Sequence, residues 1–231
     1  SGRIYNSDLN SISSWSANNY IPSLATQSIF YSKGFIVGFG EGAIQFFVNT
    51  GNASGSPLSL VNERTINIGT FYTPITQCRD VIYFTSNVGG SASPSGIFAL
   101  TGTEVTKISN NVIDKIMAGS NSGATSVLDA YIIGGKTFLH VGSASETANT
   151  LSLVYDVENK IWSEDNYPFN IRIDGGDTFG LCISTSDTSG KVYLLDGPNP
   201  VYQDNGSAYT MTIQTEPKVL NGGDPFIVKR S

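Results

Sequence analysis

A short unit recurs five times along the chain: three or four apolar or aromatic residues, a polar turn, and a further apolar residue. The clearest copy is LSLVYDVENKIWSED, which begins at Leu151. Successive copies begin about 40 to 55 residues apart, which is the length of one four-stranded propeller blade. The other copies are GRIYNSDLNSISSWS from Gly2, GAIQFFVNTGNASGSPLSLV from Gly42, SGIFALTGTEVTKIS from Ser95 and GKVYLLDGPNPVYQD from Gly190.

The composition favours strands and turns over helices. Charged residues make up only 14% of the 231 residues, whereas exposed helix faces normally carry many Glu, Lys and Arg. Stretches such as DAYIIGGKTFLHVGS place a Gly-containing turn between two strand-like runs, as in a hairpin. We therefore predict an all-β chain that forms a β-propeller of about five blades, with a β-sandwich as the alternative.

The propeller is predicted to occupy residues 1–231 as a single domain, which is also compatible with a fragment of a longer protein. Pairing of the N-terminal strand RIYNS with the last sheet would close the ring, because closure removes exposed sheet edges.

One segment, NNVIDKIMAG at residues 110–119, has the periodicity of a helix. The sequence predicts one or two turns that follow an Asn cap and end near Gly119. The apolar side chains expected on one face are Val112, Ile113, Ile116 and Met117.

Charge and hydropathy argue against two classes of partner. The formal net charge is −6 and the few basic residues are scattered, so we expect no sequence-specific nucleic-acid binding. No apolar run approaches the roughly 18 residues of a membrane span, and residues 1–8 lack the features of a signal peptide. We therefore expect no membrane partner.

Tyr155, Asp156 and Trp162 in the clearest copy are the first candidates for a site. Trp15 takes the place of Trp162 in the copy from Gly2, and Ile108 and Val201 or Tyr202 take it in others. A position that accepts Trp and Ile predicts a packing contact between sheets rather than a site. Asp156 is predicted to be a turn residue.

The single histidine and the two cysteines suggest no chemistry. His140 lies in KTFLHVGS, and no G-x-S-x-G elbow accompanies it, so we predict a strand residue that is partly buried or at an edge. Cys182, within FGLCIS, is predicted to be a small core residue. Whether it pairs with Cys78 stays open, and so few cysteines are compatible with a reducing cytoplasm.

Acidic residues and glycines likewise indicate turns. Asp174 and Asp177 in IDGGDTFG lack the ladder of ligands that a calcium loop needs. The alternating glycines of GFIVGFGEGAIQFF precede a strand and predict a hairpin rather than a phosphate loop. We predict no catalytic, cofactor-binding or metal-binding residues and no enzyme activity. Other acids at the ends of apolar runs are expected in turns: Asp8, Asp129, Asp156, Asp165 and Asp196.

Five segments, in order, resemble the tail-hub or packaged DNA stabilization proteins of short-tailed bacteriophages. The resemblance runs from Gly2 to about Pro217. The segments are IYNSDLNSISSWSA, GEGAIQFFVNTGN, GIFALTGTEVTKISNNVIDKIM, LSLVYDVENKIWSED and GKVYLLD. The chain departs from the family at Ile44-Gln45-Phe46, where the acidic-aromatic triplet E-V-W/Y is usual, and this removes a charge from an expected outer strand. It departs again at Gly134-Gly135-Lys136, where a His is frequent.

The resemblance implies a non-enzymatic virion protein of the tail, assembled in the host cytoplasm. Its partners would be other tail proteins, on the portal or adaptor side and on the needle or fibre side, and it would be a homo-oligomer that helps retain packaged DNA. Family members are usually longer. The alternative is a propeller that recognises carbohydrate, either as a receptor-binding protein or as a glycosidase.

Overall fold

The computed structural model describes the greater part of the chain up to residue 164 and some strands beyond it. The described residues are 2–8, 11–24, 26–52, 55–70, 75–86, 96–119, 126–143, 152–164, 169–174, 181–185, 192–194, 203–204 and 207–208. From residue 169 onward, only the backbone is described.

Strands dominate these residues, and they are short. One 3₁₀ turn at Asn62–Arg64 and one helix, α1 at Asn111–Gly119, are the described helical elements. The strands are β1 Gly2–Tyr5, β2 Tyr20–Ser23, β3 Thr26–Ser32, β4 Phe35–Gly40, β5 Ile44–Asn49, β6 Leu58–Leu60, β7 Ile75–Cys78, β8 Val81–Ser86, β9 Gly96–Thr101, β10 Glu104–Lys107, β11 Ser126–Ile133, β12 Lys136–Ser143, β13 Ser152–Asp156, β14 Ile161–Glu164, β15 Phe169–Asp174, β16 Leu181–Thr185, β17 Val192–Leu194, β18 Gln203–Asp204 and β19 Ser207–Ala208.

Consecutive strands form antiparallel sheets in chain order. Among the described strands, three sheets have four strands each, β3 to β6, β7 to β10 and β11 to β14, and β15 to β17 form a fourth sheet. The recurring sequence unit supplies the third and fourth strands of each four-stranded sheet. The repeat therefore marks the second half of each blade, and the all-β prediction is confirmed.

The sheets pack face to face through alternate residues of the same strand. On β8, Ile82 and Phe84 belong to the core cluster shared with the first sheet, where Phe84 contacts Phe39 of β4. Tyr83 belongs instead to the cluster that contains Leu139 of the third sheet. Each such fully buried apolar side chain stabilises the fold by about 1.5–3 kcal/mol. The first strand β11 contacts both β7 and β15, so first strands of successive sheets are neighbours, as in a propeller.

The chain divides into two compact units. Ser1–Leu195 contains β1 to β17 and α1, and Asp196–Ser231 contains the hairpin of β18 and β19. Within the first unit, β1 pairs with β2, with Ile4 opposite Ile21, and does not pair with β15 to β17 in the described strands. The number of blades and the single domain over 1–231 stay predictions.

The predicted helix begins and ends where the sequence indicates. Asn110 caps α1, because its Oδ1 accepts hydrogen bonds from the backbone N–H groups of Val112 and Ile113 at 2.9 and 3.0 Å. Only half of the predicted apolar face is buried. Ile113 and Met117 lie in the core, whereas Val112 is 64% exposed and Ile116 37% exposed. Of the four apolar residues predicted to share one face, only Ile113 and Met117, which form an i, i+4 stripe, pack into the core.

Candidate functional site

Three polar side chains stand in a row across the third sheet. Asp129 on β11 is the register partner of His140 on β12, and Ser152 lies on the adjacent strand β13. His140 Nε2 is 3.0 Å from Ser152 Oγ, and His140 Nδ1 is 3.7 Å from Asp129 Oδ2. We call these residues the Asp129–His140–Ser152 row.

The row has the order of a hydrolase triad but not its accessibility. His140 is fully buried and Ser152 is 3% exposed, so the hydroxyl that would act as nucleophile is covered. The separation of 3.7 Å between His140 and Asp129 also exceeds a hydrogen bond. The arrangement is therefore best suited to joining three strands through buried polar contacts.

His140 differs from its prediction in one respect. It is a strand residue, as predicted, but it is neither partly buried nor at an edge, because β12 lies between β11 and β13. The Gly134-Gly135 turn, both residues of which have positive φ, +57° and +79°, joins β11 to β12. Such a two-residue turn sets the register that places Asp129 opposite His140.

Asp156 and Trp162 hold the end of the third sheet together. Asp156 accepts hydrogen bonds from the backbone N–H and the side-chain Nδ2 of Asn159, at 2.9 and 2.7 Å, and these lower its pKa. Trp162 packs on Tyr155 with the ring centroids 4.7 Å apart, and its Nε1 donates to the carbonyl of Ile108 at 3.1 Å. The turn role of Asp156 and the packing role of Trp162 are confirmed.

The equivalence of Trp162 with Ile108 and Trp15 was wrong. Trp162 is the register partner of Tyr155, and the corresponding residue of the second sheet is Val105, opposite Leu100. Ile108 instead contacts Trp162 from the preceding blade. The two turns differ in length, so counting residues from the start of each unit misaligns their final strands.

Trp15 is not a packing residue in this structure. It lies between β1 and β2 and is 60% exposed. In that connection Asp8 accepts hydrogen bonds from Ser14 Oγ and Asn19 Nδ2, and the bond from Ser14 is the main reason that its pKa is lowered.

The remaining acids divide into two groups. Asp8 and Asp156 are turn residues, as predicted, whereas Asp129 lies within β11 and not at the end of a strand. Asp174 ends β15, but its side chain, together with Asp165, Asp177 and Asp196, lies outside the described residues, as does the side chain of Cys182 on β16.

Within the described ranges, no three His, Cys, Asp or Glu side chains gather as a group that could hold a metal ion. No helix in this part of the chain is both long and apolar enough to cross a membrane.

The family model described as "Bacteriophage P22 Gp10, beta-propeller" matches residues 25–164, which is more than half of the chain. The chain belongs to this family. The match covers the three complete four-stranded sheets, β3 to β14, and therefore includes the Asp129–His140–Ser152 row. It confirms the β-propeller and supports a structural protein of a bacteriophage. No curated protein matches the chain.

The family's propeller explains one departure noted in the sequence. Gln45 was expected on an outer strand, but β5 is the third of four strands and Gln45 is buried. Its Oε1 accepts a hydrogen bond from the backbone N–H of Leu24 at 2.7 Å, which ties the N-terminal segment to the first complete blade. Ile44, the first residue of the triplet, stands where the acidic residue is usual, and it is fully buried. An apolar side chain suits this position, because a buried carboxylate would carry a larger desolvation cost.

Sequence reasoning missed the Asp129–His140–Ser152 row. The pairing of Asp129 with His140 could have been predicted from the sequence, because the two residues lie equally far from the Gly134-Gly135 turn. The position of Ser152 beside His140 could not have been predicted, since the sequence between β12 and β13 has no such turn signal.

Proposed function

We propose that the chain is a structural component of a bacteriophage tail, a hub or plug that joins tail proteins and helps retain packaged DNA. The match of the phage family model to residues 25–164 carries this proposal. The protein acts in the virion through protein–protein contacts, after assembly in the host cytoplasm. Its neighbours are the portal or adaptor on one side and the needle or fibre on the other, and it assembles as a homo-oligomer.

A non-enzymatic role is supported by the burial of His140 and Ser152 in the Asp129–His140–Ser152 row. A nucleophile must meet its substrate, and the hydroxyl of Ser152 is covered by the fold. The carboxylates of Asp8 and Asp156 are likewise engaged in hydrogen bonds of their own turns.

Retention of DNA by mechanical closure, rather than by binding of phosphates, is supported by the charges. The chain carries a net charge of −6. Several described basic side chains have partners within the fold: Lys107 pairs with Asp114 at 2.6 Å, Arg3 lies over the ring of Tyr20, and Arg79 donates to the carbonyl of Gly135.

Two measurements test the proposal. Mass spectrometry of purified virions, and of tails released from them, is expected to find the chain in both fractions. Particles that assemble without the chain should package DNA and then lose it, which is measured as nuclease-protected genomes per capsid. Absence of the chain from virions, or unchanged DNA retention without it, would contradict the corresponding half of the proposal.

A further inference from the structure

The turns that join the first and second strands of the three complete sheets lie in a row. They are Lys33-Gly34 between β3 and β4, Arg79-Asp80 between β7 and β8, and Gly134-Gly135 between β11 and β12. Because first strands of successive sheets are neighbours, as β7 and β11 are, the three turns lie at the same end of the sheets. In a propeller this is one end of the central axis.

Side chains join the first two of these turns in both directions. Ser32 Oγ of the first sheet donates to the carbonyl of Asp80 in the second at 3.1 Å. Gln77 Nε2 of the second sheet donates to the carbonyl of Tyr31 in the first at 2.9 Å, and also to the carbonyl of Arg79 at 3.2 Å. Because every acceptor is a backbone carbonyl, these bonds hold the backbone of one turn against that of the next.

The side chain of Arg79 extends the row to the third sheet. Its Nη2 donates to the carbonyl of Gly135 at 3.2 Å, across 56 positions of the chain. Polar bonds therefore run without interruption from the first sheet through the second to the third. The residues that form them are called the inner clasp: Tyr31, Ser32, Gln77, Arg79, Asp80 and Gly135.

The backbone of Arg79 indicates that this arginine is kept for its side chain. Its φ is +55°, in the left-handed region that favours glycine. The first residue of the corresponding turn in the third sheet is Gly134, with almost the same φ of +57°. Glycine would thus suit the turn better at position 79, but it would have no guanidinium to reach the next blade. Unfavourable backbone conformations of this kind persist where the surrounding contacts require them.

We propose that the inner clasp is a conformational device that keeps the first three blades together at this end of the axis. Local opening favours regions whose hydrogen bonds are near solvent, and the bonds from Gln77 and Arg79 are exposed. Neighbouring first strands therefore part at this end when the clasp breaks, and its bonds set how often they do so. The value of the clasp to a virion rests on the proposed function, since a plug that retains DNA must stay closed along its axis.

Hydrogen exchange of the isolated full chain, resolved by strand, tests the clasp. The variant with both Gln77→Met and Arg79→Gly loses the donors, whereas methionine keeps a similar length and glycine suits the positive φ. Amides of β7 and β11 are expected to exchange about five to ten times faster than in the wild type, and those of β13 and β14 by less than about twofold. If the double variant does not fold, the two single variants should each give part of this acceleration.

The matched control is Lys160→Gly, which makes the same kind of change at φ +57° in the turn between β13 and β14. Within the described residues, the Lys160 side chain makes no hydrogen bond to a neighbouring sheet, so its variant should exchange as the wild type does.

Three results would overturn the clasp: unchanged exchange of β7 and β11, the same acceleration in the control, or equal acceleration in all three sheets. Equal acceleration would mean that the variant merely lowers the free energy of unfolding. Because exchange is measured on the isolated chain, a failed clasp leaves the tail function standing. Absence of the chain from virions would refute the tail function and leave the clasp.

Discussion

At the scale of single residues, the most informative position is His140. A lone histidine suggests chemistry, but His140 and Ser152 are buried inside a sheet, with the partly exposed Asp129 beside them. Buried polar groups are costly unless they are paired, so such a row favours one register of the three strands. The row therefore helps to fix the register of β11, β12 and β13 in the third blade.

We expect His140→Ala to destabilise the protein by about 2–4 kcal/mol, because it opens a cavity and removes the partner of the buried Ser152 hydroxyl. Urea denaturation of the variant and the wild type measures the difference. Lys136→Ala, an exposed change on the same strand, should alter the free energy of unfolding by no more than about 0.5 kcal/mol. An equally stable His140→Ala variant would show that the row does not stabilise the blade.

Tyr83 makes the stability depend on pH in the alkaline range. Burial, with smaller contributions from Cys78 and Glu158, raises its pKa from 10.0 to about 12. The folded state therefore keeps the phenol proton when the unfolded state has lost it. This contribution to stability is fully present below pH 10 and is lost as the pH rises through 12.

Between about pH 9 and pH 11, the free energy of unfolding should fall by about 1 kcal/mol more in the wild type than in Tyr83→Phe. Urea unfolding at the two pH values measures this difference, and the variant corrects for every other group that titrates. Equal slopes for the two proteins would mean that Tyr83 ionises as readily in the folded chain as in the unfolded one.

At the scale of elements, α1 shows how a cap and a core contact cooperate. Asn110 is the N-cap at which α1 begins. Ile113 and Met117 pack the helix against the core between the second and third sheets. A helix of nine residues is too short to be stable alone, so its stability depends on both the Asn110 cap and the core contact.

Asn110→Ala is therefore expected to lower the free energy of unfolding by about 0.5–2 kcal/mol, the usual cost of losing an N-cap. The matched control is Asn111→Ala, one residue later, because its side chain is exposed and Ala favours a helix. Chemical denaturation of both variants gives the comparison. If the two variants are equally stable, the cap contributes nothing.

At the scale of the whole molecule, hydrogen bonds between neighbouring blades join the sheets to one another. The sequence repeat indicates only the order of these sheets along the chain. Trp162 donates to Ile108 of the preceding blade, Ser32 donates to the carbonyl of Asp80 in the next, and Gln77 donates back to the carbonyl of Tyr31. These bonds lie at or near the ends of strands and add specific polar contacts to the apolar packing between the sheets.

The whole-molecule charge predicts weak interaction with DNA. With a net charge of −6, the isolated chain should bind duplex DNA with no measurable affinity at about 0.15 M salt. Fluorescence anisotropy with a labelled duplex measures this, and a basic DNA-binding protein serves as the positive control. Strong binding that weakens steeply with salt would contradict mechanical closure as the means of retaining DNA.

Much of the fold could be predicted because its signals are local. The Gly134-Gly135 turn, the Asn110 cap and the Asp156 turn each depend on neighbouring residues only, and all three form as expected. The placement of Ser152 beside His140 and the exposure of Trp15 could not be predicted in the same way. Both depend on which residues of distant segments approach one another.

The sequence by itself determined the all-β class, the order of strands and the position of each complete blade's second half, because strand alternation and turn chemistry act over a few residues. Only the tertiary structure decided that Trp162 spans two blades while Trp15 faces solvent. The two tryptophans stand in similar local sequences. Their environments differ because Trp162 has a neighbouring sheet to contact, whereas the hydrogen bonds of the longer connection between β1 and β2 hold Trp15 in a loop that points away from the core.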